Sequence, residues 1–130
     1  MLHKDLFTQI IFSSKVCYKI NKYSTNAFKT RIMGEMRKKC LSAVLIDDEK
    51  VRVTRFDFEP DQETGWHKHD YDYVITAITD CNMTLQNPDG TQSTSQVLAG
   101  NAYGRDAGVR HNVINKSNER MSFVEIELKN

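Results

Sequence analysis

The chain is poor in the features that mark membrane proteins, secreted disulfide frameworks and nucleic-acid binders. Its apolar stretches are only a few residues long, far below the ~20 residues of a membrane-spanning helix. Cysteine is limited to Cys17, Cys40 and Cys81, odd in number, far apart and without a Cys-x-x-Cys. That pattern implies neither a disulfide framework nor a zinc ribbon, and a reduced, cytoplasmic protein is expected. Cys81 reads as a small semi-buried apolar residue. Charge of one sign is also lacking, with a net charge of +1. The distribution is uneven: residues 1–40 hold nine Lys/Arg and two Asp/Glu, residues 41–130 nine and fifteen. A basic arm precedes an acidic body, which argues against nucleic acid as a partner because phosphate binding needs clustered Lys/Arg. No membrane association is expected either.

A secretory signal is not expected at the start. Leu6, Phe7, Ile10, Ile11 and Phe12 cluster, but Thr8 and Gln9 interrupt them and no small-residue cleavage site follows. Residues 1–33 read as an N-terminal extension with two alternatives open. Leu2, Leu6 and Ile10 share an i, i+4 stripe and suit a short amphipathic helix; or Met33 or Met36 is the biological start. Residues 34–130 read as one domain, which the length of 130 residues accommodates.

What is present from residue 41 onward is short strands and turns. Leu41–Ile46 is an apolar run closed by Asp47-Asp48-Glu49-Lys50. Val51–Phe58 is rich in Val, Thr and Phe and stops at Glu59-Pro60-Asp61. Tyr73–Thr79 and Met83–Gln86 follow, the latter leading into the hairpin turn Asn87-Pro88-Asp89-Gly90. Thr91–Leu98 is polar and β-branched, as an outer strand is. Met121–Leu128 alternates, with Phe123, Glu125 and Glu127 on one face and Val124, Ile126 and Leu128 on the other. The glutamates are expected to face outward. The whole predicts an all-β sandwich or barrel.

Three of the four histidines fall in two clusters: Gly65-Trp66-His67-Lys68-His69 and Gly108-Val109-Arg110-His111. In an extended strand His67 and His69 point to one face. A third imidazole from a neighbouring strand completes a set suited to zinc, iron, copper, nickel or manganese.

The spacing around His111 resembles the second motif of the cupin superfamily. Gly100, five residues, Asp106, one residue, Gly108, two residues, His111, three residues, Asn115 keeps every interval, with Asp106 where that motif has proline. Gly65, His67 and His69 resemble the first motif with a shortened Gly–His gap. The first motif's glutamate falls on Tyr73 or Val74. Tyr103 to His111, together with the run from His69 to Val74, is similar to a group of small bacterial cupins, some encoded beside β-alanine catabolism genes.

The resemblance covers roughly residues 41–128. It implies a double-stranded β-helix, or jelly roll, and a homodimer. It also implies a divalent metal ion (Fe, Zn, Mn or Ni) on His67, His69 and His111. Tyr73 is then a hydrogen-bond donor beside the site, a weak ligand or a barrel-filling aromatic; Asp72 in a slipped loop is an alternative. Arg105 either points out or meets a substrate carboxylate or Glu125. Tyr73 and Arg105 are the candidate catalytic residues. Trp66 and Tyr71 line the mouth or belong to the core. Asn115 is expected to tie down a turn, and Gly100 and Gly108 to occupy tight turns or close approaches. The function implied is a metal-dependent enzyme, a dioxygenase or an isomerase or lyase, acting on a small organic acid; the alternative is a non-catalytic metabolite sensor.

Overall fold

Period-two alternation broken by Asp, Asn, Pro and Gly turns builds antiparallel sheet, and the described residues contain little else. The computed structural model describes residues 36–129; the expected extension over 1–33 lies outside them. Nine strands occur among the described residues: β1 (Leu41–Asp47), β2 (Val51–Phe58), β3 (His67–Lys68), β4 (Asp72–Ala77), β5 (Cys81–Gln86), β6 (Gln92–Val97), β7 (Ala102–Arg105), β8 (Arg110–Asn115) and β9 (Met121–Leu128). They form one sheet ordered β1-β2-β9-β4-β7 and another ordered β3-β8-β5-β6. The strand pairs are antiparallel. This is the expected double-stranded β-helix.

The turns form where the residues favour them. Asp48 Oδ1 accepts the N–H groups of Lys50 and Val51, both at 2.8 Å, and closes the β1–β2 hairpin. Asn87 N–H donates to Thr91 O, and Gly90 takes φ +86°, in the β5–β6 hairpin. Gly100 and Gly108 have φ of +81° and +90°, a region that disfavours any Cβ. Asn115 is fully buried; its amide donates to Glu59 O and Glu119 O and accepts from Ser117. It ties two turns together, as expected. Cys81 is buried too, its thiol donating to Ser122 O.

Register organises the interior of the five-stranded sheet into rungs, because cross-strand partners share a face. Arg52, Glu127, Tyr73 and Arg105 stand in line across β2, β9, β4 and β7. The next line is Thr54, Glu125, Ile75 and Tyr103, and the next Phe56, Phe123 and Ala77. Polarity therefore falls from one end of the barrel to the other. At the apolar end, Phe123 packs against Phe56 and Phe58 with ring centroids 5.4 and 5.6 Å apart. Burying each such ring contributes roughly 2–3 kcal/mol.

This arrangement corrects the expectation for β9. Glu125 and Glu127 face inward on the face of Phe123, and Glu125 is buried. Val124 and Ile126 are half-buried on the outer face and Leu128 is exposed there. β9 carries apolar residues on both faces, so alternation alone does not say which face is inside.

Candidate metal centre

β3 is two residues long and pairs with β8, setting His67 directly opposite His111. Beyond Lys68 the strand ends, but His69 N–H still donates to Val109 O, and Gly108 N–H to His69 O. His69 is thereby held beside the β8 entry and turned inward.

The three side chains converge. The Nε2 atoms of His67, His69 and His111 lie 3.1 Å from one another in all three pairs. His69 is 1% and His111 8% exposed. His67 Nδ1 donates to the Gly65 carbonyl at 2.9 Å, and a carbonyl only accepts. The His67 proton therefore sits on Nδ1, and its Nε2 presents a lone pair to the other two rings. Burial first, then His67, holds His69 down at about 4. Burial first, then His67, His69 and Arg105, holds His111 down at about 3. Both rings are neutral at pH 7, the form that ligates metal. The set fits a divalent ion. A nitrogen triangle of 3.1 Å edge is compatible with metal–nitrogen bonds of about 2.0–2.1 Å, and His67, His69 and His111 would hold the ion there.

Asn112, adjacent to His111 and 2% exposed, braces this geometry. Its Oδ1 accepts Gly65 N–H at 2.9 Å, and its Nδ2 donates to Glu63 and Gln86, each at 2.9 Å. The loop that delivers His67 is thus bonded to the strand that delivers His111. No spacing in the sequence signals this residue.

The remaining expectations separate. Tyr73 is 2% exposed, and its ring stacks on His69 with centroids 3.8 Å apart and planes at 18°. Burial pushes its hydroxyl up to about 12, so it stays protonated. Asp72 is not beside the triad in a slipped loop: its carboxylate accepts Ala107 N–H at 2.8 Å. Asp70 is exposed, 3.7 Å from Lys68. Arg105 is exposed on β7, with its guanidinium 5.7 Å from the Tyr103 ring centre. With Ser95, Val97 and Tyr103 it lines a cleft of about 660 Å³. Trp66 and Tyr71 are 48% and 40% exposed, which excludes the core alternative, and Trp66 faces Arg110 at 5.1 Å.

Two acidic residues join the site without having been expected there. Glu125 Oε2 lies 3.9 Å from His69 Nε2, and Glu127 Oε1 lies 3.8 Å from His69 Nδ1. Burial first, then Glu127, pushes Glu125 up to about 7. The available signal was parity: Glu125 and Glu127 share a strand face with Phe123, a residue large enough to need burial.

An antiparallel β-helix with an inward cluster of three histidines at its polar end defines the cupin class. The chain matches the cupin-domain family over residues 45–127 and belongs to it. Among its relatives is the beta-alanine degradation protein BauB of Pseudomonas aeruginosa PAO1. The two are 43% identical over 93 residues, 72% of this chain and 97% of BauB. A cupin-domain crystal structure from Bordetella pertussis Tohama I shares 45% identity at a TM-score of 0.70, covering 75% of this chain and all of the other. A Klebsiella pneumoniae protein with a double-stranded β-helix domain shares the fold at a TM-score of 0.59 and 20% identity, over 70% and 77% of the two chains.

Proposed function

We propose that this cupin holds one divalent ion (Fe, Zn, Mn or Ni) through His67, His69 and His111 and uses it to bind and transform a small organic acid. The observation that carries the reading is the triangle of Nε2 atoms 3.1 Å apart, two of its rings buried, with the His67 Nδ1 N–H donating to the Gly65 carbonyl. The bound ion supplies Lewis acidity and a fixed point for an anionic group. Tyr73, stacked on His69, keeps that ring in place and keeps its proton at neutral pH. Arg105 stands in register with Tyr73 at the polar end of the barrel and offers a fork for a carboxylate. The name of the BauB relative supports a small acid from amino-acid breakdown.

A homodimer is part of the proposal. β1 is an edge strand whose seven residues are all exposed, with Leu41, Val44, Leu45 and Ile46 between 49% and 68%. An apolar edge of that kind is suited to pairing with a second copy. A cytoplasmic location is also proposed, supported by Cys40 and Cys81 both being free thiols.

The test is the metal content of protein purified without a histidine tag, followed by titration with small acids. About one ion per chain and saturable acid binding with turnover support the reading. Less than about 0.2 ions per chain after reconstitution overturns it. Saturable binding without turnover transfers the protein to the sensor class.

A further inference from the structure

Neither histidine motif accounts for the two carboxylates inside the barrel. Glu125 is 9% exposed and lies 3.9 Å from the Nε2 of His69, the nitrogen that faces the triad. Glu127 lies 3.8 Å from the other nitrogen of the same ring. Both distances exceed a hydrogen bond. Among the described residues Glu125 accepts no hydrogen bond, and its register neighbours Thr54 and Ile75 carry no charge. Arg52, in line with Glu127, is the one cation whose charge favours ionised Glu125; it is half-exposed, lies 4.0 Å from Asp47 and makes no hydrogen bond to Glu125. Fully buried polar side-chain atoms among the described residues all have partners, so the unbonded oxygens of Glu125 retain some accessible surface, where a ligand's donor can reach them. A carboxylate so placed is costly until a donor, best a cationic one, meets it.

Resting on the metal-site reading above, we infer that the ligand carries a protonated amine as well as an acid group, and that Glu125 selects it. The ion, with Arg105, takes the carboxylate; Glu125 takes the ammonium. A dication beside Glu125 and Glu127 is balanced by them, so a net-neutral zwitterion is accommodated without excess charge. A second carboxylate on the ligand meets Glu125 as a like charge and is rejected.

The test uses the full chain loaded with cobalt(II), titrated with β-alanine, propanoate and succinate. The three share a propanoate unit and differ in carrying an ammonium, nothing or a carboxylate. β-Alanine is expected to bind roughly tenfold tighter than either of the others. Glu125→Gln is expected to close that gap with cobalt stoichiometry unchanged, and Glu125→Asp to keep part of it. Three results overturn the inference: propanoate or succinate binding wild type as tightly as β-alanine, Glu125→Gln retaining the gap, or Glu125→Gln losing its cobalt. The last makes Glu125 a metal ligand instead. Wild type that takes up no cobalt contradicts the metal-site reading. Titration of the cobalt-free chain then reads the amine preference alone, and equal binding of the three acids there overturns the inference.

Discussion

Tyr73 lies face to face with His69, ring centroids 3.8 Å apart and planes at 18°. The glutamate of the first cupin motif falls on Tyr73 or on Val74, neither of them a carboxylate, and Tyr73 meets His69 by stacking instead. The ring holds His69 by contact rather than by charge, and the negative charge is supplied one strand away, by Glu127, its register partner on β9.

That relationship separates two substitutions. Tyr73→Phe keeps the stacked face and is expected to hold metal within about threefold of wild type. Tyr73→Ala opens space beside His69 and is expected to weaken metal binding by roughly 10–100-fold. Competition against a chelator measures both. Equal losses in the two variants would assign the hydroxyl, not the ring, to the role.

Asn112→Ala leaves Gly65 N–H, Glu63 and Gln86 without the partners they share. The expected cost is on the order of 2–4 kcal/mol of stability. Metal affinity is expected to fall as well, because the His67 loop loses its tie to β8. Urea unfolding and metal titration read the two effects separately.

The metal-free protein is expected to show two opposed pH limbs. His69 and His111 have folded values of about 4 and about 3 against an ordinary imidazole value of 6.5. Their folded forms resist protonation, so the stability they contribute is present above 6.5 and is lost as pH falls toward 3. Glu125 runs the other way, from 4.5 up to about 7. Its contribution is present below 4.5 and is lost as pH rises through 7. Glu125→Gln is therefore expected to stabilise the metal-free chain at pH 8 and to change little at pH 4. Denaturation midpoints across pH 4–8 check this; a uniform shift at both ends contradicts it.

The apolar edge at β1 sets an expectation for association. Wild type is expected to be dimeric by light scattering, and Leu41→Lys with Leu45→Lys to be monomeric. A monomeric wild type at micromolar concentration removes the dimer from the proposal.

Much of this architecture was legible from residues alone, for identifiable reasons. Turn chemistry at Asp48 and at Asn87 to Gly90 is local, so those hairpins could be placed. The His111 cluster was legible through its resemblance to the second cupin motif, which Gly100, Gly108, His111 and Asn115 match in spacing. β3 was less legible because it is two residues long; His69 is turned inward by backbone bonds to Val109 and Gly108, not by strand regularity. Glu125 was misplaced because β9 has apolar side chains on both faces, and only tertiary packing decides between them. Asn112 was invisible because its three partners, Gly65, Glu63 and Gln86, come from distant parts of the chain.

The most direct measurement is zinc affinity by chelator competition for tag-free wild type and His111→Ala, each shown to be folded. Wild type is expected to bind about one ion per chain, and His111→Ala to bind on the order of a hundredfold or more weaker. A His111→Ala protein that holds zinc as tightly as wild type would contradict the site built from His67, His69 and His111.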